Sequence, residues 1–283
     1  MARTEQVKFL LEQYGKDDQR TDAWHAKRGE MLTASEIYKG LTTATPAMRH
    51  ELIMSKLVPR VRVPTNQQAA PLIWGTRFEP IAKEIYCIQQ GGNISIADTT
   101  CVPHPTVPFL GASPDGIIIS EDSRHGCLVE FKCPFNRVYN PEKPIPDTYY
   151  HQMQLQMECT GIDECDYVEM RFSKVSYSEW IDSKAEYKSI MMISADGEVL
   201  YRPLSDKREV SVWKNEVIKG EDMLNWQCIY WILSSSVSSR VNRDPSWLTS
   251  NLESLTSVWQ DVQSHRAAGS LPEHPKEKTI LTL

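Results

Sequence analysis

The stretch Leu110–Pro134 reads LGASPDGIIISEDSRHGCLVEFKCP, and the fold of the chain is decided here. Two short strand-like runs, Gly116–Ile119 and Cys127–Cys133, flank seven residues that are all polar or glycine. This pattern is typical of a β-hairpin. Pairing its two strands brings Asp115 close to Glu130, within a residue or two of register.

The second strand of this hairpin carries a charged face. Side chains alternate along a strand, so Glu130 and Lys132 share one side while Val129 and Phe131 take the other. With Asp115, this face holds two carboxylates, which are the hard oxygen ligands that Mg²⁺ and Mn²⁺ prefer. The ammonium can orient a water molecule and steady charge on a phosphate. The pattern predicts metal-assisted phosphodiester hydrolysis, although either half alone also fits a hairpin with solvated charges.

The composition is that of an ordinary globular protein. Of 283 residues, 41% are hydrophobic and 24% are charged, which predicts one large domain or a domain with an appendage. No apolar run reaches about 18 residues, and the charged N-terminal stretch lacks the apolar core of a signal peptide. Seven cysteines without a C-x-x-C pair fit reduced thiols. We therefore expect an intracellular protein that is neither secreted nor bound to a membrane.

Net charge does not identify the partner. The value of −6 is uninformative, because a nuclease concentrates acid at its metal site and base along the path of the strand. The segment Ala44–Pro64 has four basic residues against one acidic residue, a local balance of +3. It predicts either an edge that faces phosphates or a solvated helix face.

Two segments upstream of the hairpin offer further polar groups. Thr33 and Glu36 are spaced as a capping box, which predicts a helix from Ala34 to about Gly40 with Ser35 in its first turn. Unpaired amides there attract anions, although simple capping explains the pattern equally well.

A further helix is predicted over Trp74–Gln90 after a loop over Val61–Leu72. Glu79 lies near the start of this helix, where either the helix dipole favours an acidic residue or the side chain serves the metal site. Pro80 should fall in the first turn or kink the helix.

Downstream, Thr148–Thr160 is predicted to be helical, with Gln152 and Gln156 on one side. Such glutamines form either a polar rim or contacts to buried groups. The remaining expectations are strands over Cys165–Phe172 and a hairpin over Ile190–Tyr201, a largely helical Ser205–Leu233, a serine-rich break at Ser234–Ser239, an amphipathic helix over Trp247–Ala268 and a loose tail at Gly269–Leu283.

The G-x-S-P-D-G and E-x-K-x-P motifs of the hairpin together resemble the PD-(D/E)XK nuclease core, and specifically the lambda-exonuclease-like or YqaJ-type viral recombinase family. The resemblance spans about Trp24 to Phe172. It implies an α/β (α+β) fold in which helices flank a central mixed β-sheet, with a helical C-terminal extension. We expect a nuclease core at 1–180, a C-terminal part at 181–268 packed on the same domain, and a tail at 269–283.

The family resemblance also assigns roles to the residues of the core. Asp115 and Glu130 would ligate Mg²⁺ or Mn²⁺, with two ions expected and the backbone carbonyl of Phe131 as a further ligand. Lys132 would position or activate the attacking water, and Glu79 would assist through the metal shell. A second set would form a pocket for a terminal 5′-phosphate: Arg28, Ser35, Ser113 and Gln152.

In this family such a pocket accompanies 5′→3′ digestion of linear duplex DNA, which leaves 3′ single strands for recombination or repair. The implied partners are double-stranded DNA ends and a single-strand annealing protein. The implied assembly is a homo-trimer or a monomer, and the protein is of viral or host origin. Two alternatives remain: a structure-specific or sequence-specific endonuclease on the same core, and a non-catalytic nucleic-acid-binding or protein-binding module. The intact Asp115, Glu130 and Lys132 argue against the second.

Overall fold

The computed structural model describes residues 2–16, 19–58, 70–137, 139–218 and 225–275. The α-helices are α1 Arg3–Tyr14, α2 Asp22–Gly29, α3 Pro46–Leu57, α4 Ala70–Gln89, α5 Asp147–Thr160, α6 Tyr177–Asp182, α7 Val210–Val217 and α8 Trp247–Ala268. The β-strands are β1 Leu32–Thr33, β2 Ser95–Ala97, β3 Val102–Pro103, β4 Leu110–Ala112, β5 Gly116–Ile119, β6 Leu128–Lys132, β7 Glu164–Val175, β8 Lys188–Ser194, β9 Val199–Tyr201 and β10 Trp226–Asn242.

A seven-stranded mixed sheet forms the centre of the molecule, in the order β2-β5-β6-β7-β10-β8-β9. Of its described strands, only β6 and β7 pair in parallel, and α5 is the crossover between them. A small sheet, β1-β4-β3, adjoins it. The apolar side of β6, with Val129 and Phe131, packs against α4, while Leu128 belongs to the core shared with α5. Helices therefore cover both faces of a mixed sheet, as the resemblance implies.

The predicted hairpin is present as β5 and β6. Gly116 pairs with Val129 and Ile117 with Leu128, a register whose continuation places Asp115 opposite Glu130. Gly116 is needed for close approach to β2, because a Cβ there would lie 2.1 Å from a methyl group of Ile96. The two strands are short and local, which is why their pairing can be read from the sequence.

The part of the chain between β9 and α8 departs from the prediction. The segment Ser205–Leu233 is helical only in α7, and residues from Trp226 onward form β10, a strand of 17 residues. The serine run is not a break: Ser235–Ser239 pair in register with β7, after a bulge that follows Leu233. Ile229 and Trp231 are buried in the core with α4. Aromatic and β-branched side chains fit a half-buried pleated surface, and this outweighs the apparent helical spacing.

Smaller corrections concern the boundaries of helices. The helix predicted from Trp74 begins at Ala70, so residues 70–72 of the expected loop are helical, and residues 61–69 lie outside the described ranges. Pro80 lies in the interior of α4 rather than in its first turn. The helix predicted after Thr33 is a 3₁₀ helix, Ala34–Gly40, with the expected capping box.

The other predicted elements agree with the structure. Gly161 ends α5 in the left-handed conformation, and β8 and β9 form the expected hairpin. Gly269 ends α8 in the same conformation, residues 270–275 have no regular structure, and residues 276–283 of the expected tail are outside the described part of the chain. None of the described helices combines the length and apolarity needed to cross a membrane.

Candidate active site

The acidic centre of the site is built by backbone pairing within the hairpin. Oδ2 of Asp115 accepts a hydrogen bond from the backbone N–H of Phe131 at 2.8 Å. Glu130, only 1% exposed, forms a buried ion pair with the ammonium of Lys132. The three side chains predicted to carry the chemistry are thus brought together on one side of the hairpin.

Two glutamines of α5 hold the remaining side of the Glu130 carboxylate. Nε2 of Gln152 donates to Oε1 of Glu130 at 2.6 Å, and Nε2 of Gln156 donates to Oε2, also at 2.6 Å. Gln152 also accepts from Lys132 at 3.3 Å. The glutamines are therefore not a polar rim: they fix a buried charge in one orientation. Gln154 faces elsewhere, toward the backbone that joins β10 to α8.

Asp115 lies in a strongly negative environment. Partial burial, together with the carboxylates of Glu130 and Glu79, raises the pKa of Asp115 well above its usual range. Burial lowers the pKa of Lys132, but the charges of Glu130 and Asp115 outweigh it and leave that pKa raised. Lys132 is therefore an ammonium at neutral pH, and a bound cation would relieve the repulsion between the carboxylates.

An aromatic and basic layer covers Lys132. Its ammonium lies 4.5 Å from the ring centroid of Tyr149, and the guanidinium of Arg137 lies 5.1 Å from the same centroid. Arg137 also forms an ion pair with buried Glu169 and donates to the hydroxyl of Tyr167 at 2.6 Å. This layer was not predicted, although the alternation of Tyr167 and Glu169 along β7 placed both on one face.

Glu79 reaches the site from α4, within electrostatic range of Asp115. Oε2 of Glu79 accepts from Arg20 at 2.6 Å, and its Oε1 lies 3.6 Å from the ammonium of Lys83. That ammonium also donates to Asp98 at 2.8 Å. Lys83 and Asp98 were missed in the sequence, although Lys83 follows Glu79 by one helical turn.

Three of the four residues predicted to bind a terminal phosphate lie together, around the guanidinium of Arg28. Arg28 donates to the hydroxyl of Ser35 at 2.8 Å and lies 3.4 Å from that of Ser113. It also donates to Thr33 at 3.0 Å and stacks over Trp24 at 4.3 Å. Trp24 and Thr33 were not predicted as members of this cluster. We call these five residues the Arg28 pocket.

The fourth residue predicted to bind the terminal phosphate, Gln152, does not contact the Arg28 pocket in the described hydrogen bonds. Its amide is engaged by Glu130 and Lys132, as described above. Gln152 thus belongs to the acidic centre in this structure.

A buried ion pair supports the Arg28 pocket from behind. Lys56 pairs with Glu36 and donates to the backbone carbonyl of Arg28 at 3.2 Å. Glu36 in turn accepts from the N–H of Thr33 at 3.1 Å, which completes the capping box. Arg49 forms an ion pair with Asp261 of α8.

The basic segment Ala44–Pro64 therefore divides in three. Lys56 is internal, Arg49 is paired with α8, and Arg60 and Arg62 lie outside the described residues. Arg49 and Lys56 therefore do not form an edge that faces phosphates.

The donor set of the acidic centre suits a hard divalent cation. Asp115 and Glu130 supply carboxylate oxygens, and the backbone carbonyl of Phe131 follows directly in the strand. Oδ2 of Asp115 and both oxygens of Glu130 already accept hydrogen bonds, so among the described hydrogen bonds of these two carboxylates the second oxygen of Asp115 accepts none. In the described residues, no three His, Cys, Asp or Glu side chains gather as a metal cage. Water and substrate oxygens would complete the shell.

Comparison with known proteins supports this interpretation of the geometry. Residues 23–163, which are 141 of the 283 residues, match the YqaJ-like viral recombinase domain. This segment of the chain is thus a YqaJ-like viral recombinase domain. The matched segment contains the Arg28 pocket, Glu79, the β5–β6 hairpin and α5.

Among solved structures, the chain is similar to an alkaline exonuclease, LHK-Exo, from Laribacter hongkongensis. The two are 22% identical with a TM-score of 0.51, covering 88% of this chain and 98% of that one. At this identity the similarity shows the fold, which is of the exonuclease PD-(D/E)XK type. The complex of LHK-Exo with dAMP gives the same TM-score at 23% identity over the same shares of the two chains.

A curated relative comes from Acanthamoeba polyphaga mimivirus and is described only as an uncharacterized protein. It is 24% identical over 182 residues, which cover 58% of this chain and 31% of the relative. The chain thus aligns with about a third of the length of this relative.

Proposed function

We propose that this protein, with its YqaJ-like domain, is a metal-dependent exonuclease that degrades linear duplex DNA from a 5′-phosphate in the 5′→3′ direction. The observation that carries the proposal is the link between the Arg28 pocket and the acidic centre. Ser113 contacts Arg28, and Asp115 follows it by two residues. A short span of backbone therefore joins a cluster suited to a phosphate to a pair of carboxylates suited to a cation.

The acidic centre would hold Mg²⁺ or Mn²⁺ through Asp115, Glu130 and the carbonyl of Phe131. When bound, such an ion would neutralise charge on the scissile phosphate and lower the pKa of a coordinated water. Lys132, kept protonated by Glu130, would hold the attacking water or donate a hydrogen bond to a phosphate oxygen. Gln152 and Gln156 keep Glu130 oriented for this task.

The Arg28 pocket would recognise the end of the DNA. A guanidinium presents two parallel donors to a phosphate, a contact that lysine cannot reproduce. Stacking on Trp24 fixes the plane of the Arg28 guanidinium. The hydroxyls of Ser35 and Ser113 accept from Arg28, and their own O–H groups would supply further donors to the phosphate. A terminal monoester carries more negative charge than an internal diester, so the pocket should favour ends.

Products and partners follow from this polarity. Digestion of one strand from each 5′ end leaves 3′ single strands. These are the substrate of a single-strand annealing protein, which is the proposed protein partner. A homo-trimer would encircle the remaining duplex and favour processive digestion, whereas a monomer would be distributive. Light scattering of the pure protein distinguishes the two assemblies.

The decisive experiment uses linear duplexes labelled at either strand end, with a 5′-phosphate or a 5′-hydroxyl. We expect Mg²⁺-dependent release of label from the 5′ end, faster with the phosphate, and intact covalently closed circles. Loss of label from the 3′ end first, or rapid cutting of closed circles, would replace the proposal with a 3′ exonuclease or with the endonuclease alternative. Persistence of all labels in Mg²⁺ and Mn²⁺ would indicate a binding module.

A further inference from the structure

An ammonium group lies among carboxylates at the side of the acidic centre. Nζ of Lys83 is 2.8 Å from Oδ1 of Asp98 and 3.6 Å from Oε1 of Glu79, and its side chain is 24% exposed. Lys83 also interacts electrostatically with Asp115. The ammonium therefore occupies the kind of position that a metal ion takes between acidic ligands.

The position of Asp98 follows from the sheet. Strand β2 pairs with β5 so that Ala97 lies opposite Ile117. Continuation of that register by one residue places Asp98 opposite Gly116, the neighbour of Asp115. Asp98, directly after β2, and Glu79, on α4, thus come from two different elements, and Lys83 lies between them.

The charges around Asp115 can be counted among the described residues. Asp115 interacts with the carboxylates of Glu130 and Glu79, and Asp98 joins this group through Lys83. Three cationic side chains pair with these four carboxylates, which are Lys132 on Glu130, Lys83 on Glu79 and Asp98, and Arg20 on Glu79. The sum of the formal charges of the seven groups is −1. One divalent cation changes it to +1, which matches a single scissile phosphodiester, whereas two ions would leave +3.

We propose that the Lys83 ammonium takes the place of a second metal ion, so that this site holds one divalent cation per chain. This inference rests on the proposed function and differs from the two ions expected from the sequence. Lys83 keeps Glu79 and Asp98 engaged and unavailable as ligands. It supplies a fixed positive charge beside Asp115 without the need to recruit an ion from solution. Lys83 is a positioning residue in this scheme, since it acts through the carboxylates.

The number of ions can be measured without any turnover. Metal-free, full-length protein is titrated with Mn²⁺ in the absence of DNA, and free Mn²⁺ is followed by its electron paramagnetic resonance signal. We expect one bound ion per chain for the unmodified protein and two for Lys83→Met, which keeps the length of the side chain and removes its charge. Lys83→Arg should remain at one. Two ions in the unmodified protein, or one ion in a folded Lys83→Met, would overturn the inference.

Matched variants test whether a change in the number of bound ions is specific to Lys83. Lys39→Met removes an ammonium that is paired with Glu51, and it should still bind one ion. In Lys83→Met the carboxylate of Asp98 is released and can bind the second ion. The double change Lys83→Met/Asp98→Asn removes that carboxylate and should return the number of bound ions to one. If Lys83→Met is unfolded by circular dichroism, Lys83→Gln serves with the same expectations. Failure of the unmodified protein to bind any Mn²⁺ would instead contradict the proposed function.

Discussion

The backbone N–H of Phe131 donates to the carboxylate of Asp115, and this bond at 2.8 Å ties the aspartate to the strand that carries Glu130 and Lys132. The spacing of the acidic pair is thus set by strand pairing rather than by flexible side chains. Because the backbone holds the two carboxylates together, little conformational freedom is left to be lost when they bind a cation.

The raised pKa of Asp115 gives a first prediction about stability. A carboxyl whose pKa is higher in the folded state than in the unfolded state stabilises the fold at low pH, and this contribution is lost as the pH rises through the folded pKa. In EDTA at pH 8, Asp115→Asn should therefore have a higher melting temperature than the unmodified protein. At pH 4 the difference should shrink, and thermal melts at both pH values measure it.

The same substitution should abolish cleavage, because a neutral amide in place of the Asp115 carboxylate is a poor ligand for Mg²⁺. Mg²⁺ should raise the melting temperature of the unmodified protein but not that of the variant. Since protons compete with the ion for Asp115, the apparent affinity for Mg²⁺ should rise with pH. A variant that is less stable than the parent in EDTA at pH 8 would contradict the repulsion inferred here.

The glutamines of α5 give a second prediction. Gln156→Ala removes one of the donors to buried Glu130, and losing a hydrogen bond to a charged group costs about 1.5–3 kcal/mol of unfolding free energy. It should also lower kcat, because Glu130 is no longer held in one orientation. Gln154→Ala is the matched control: it removes contacts to Asn242 and Asp244 and should affect stability without changing Mg²⁺ affinity. Urea denaturation measures the stability of both variants, and Mg²⁺ titrations of the cleavage rate measure their kcat and their affinity for Mg²⁺.

The Arg28 pocket gives a third prediction. A charge-assisted contact is worth about 1.5–3 kcal/mol, so a 5′-phosphate should accelerate digestion about 10- to 100-fold over a 5′-hydroxyl. Arg28→Ala should erase most of that preference and leave residual cutting, and Arg28→Lys should restore only part of it because the paired donors are lost. The rates on the two substrates measure the preference. Equal rates with the unmodified protein would show that the pocket does not bind the end.

A fourth prediction concerns the layer over Lys132. Glu169→Ala leaves the guanidinium of Arg137 without its buried partner, and breaking a buried ion pair costs about 3–5 kcal/mol. The double variant Glu169→Ala/Arg137→Met should recover much of that loss, because no unpaired charge remains. Chemical denaturation of the four proteins in the cycle gives the coupling free energy. Additive effects in this cycle would show that the pair is not coupled.

The parts of the fold that could be predicted from the sequence are local. The β5–β6 hairpin, α5 with Gly161 and the capping box after Thr33 each depend on residues a few positions apart. Strand β10 could not be predicted, because its aromatic residues fit a buried helix and a half-buried strand equally well. Its partner residues in β7 lie 55 to 78 positions away in sequence, and it also pairs with β8. These long-range pairings decide between the two.

The same distinction holds for the site. Asp115, Glu130 and Lys132 share one hairpin, so their convergence follows from strand register alone. Arg28, Ser35 and Ser113 were placed by family resemblance, and the structure brings them together. Gln152 was expected with them, but its amide on α5 bonds to Glu130 and Lys132. Lys83 and Asp98 meet only because β2 pairs with β5, which no short motif reveals.

The last turn of α8 has a practical consequence for anyone who attaches a tag or fixes the protein to a surface. Arg266 donates to the carbonyl of Gly29, the residue after Arg28, so the chain leaves α8 close to the Arg28 pocket. At the other terminus, Arg3 contacts Ser123 in the turn of the hairpin, which is the end farther from Asp115. Affinity tags and surface linkages are therefore better placed at the N-terminus, where they start beside the turn of the hairpin.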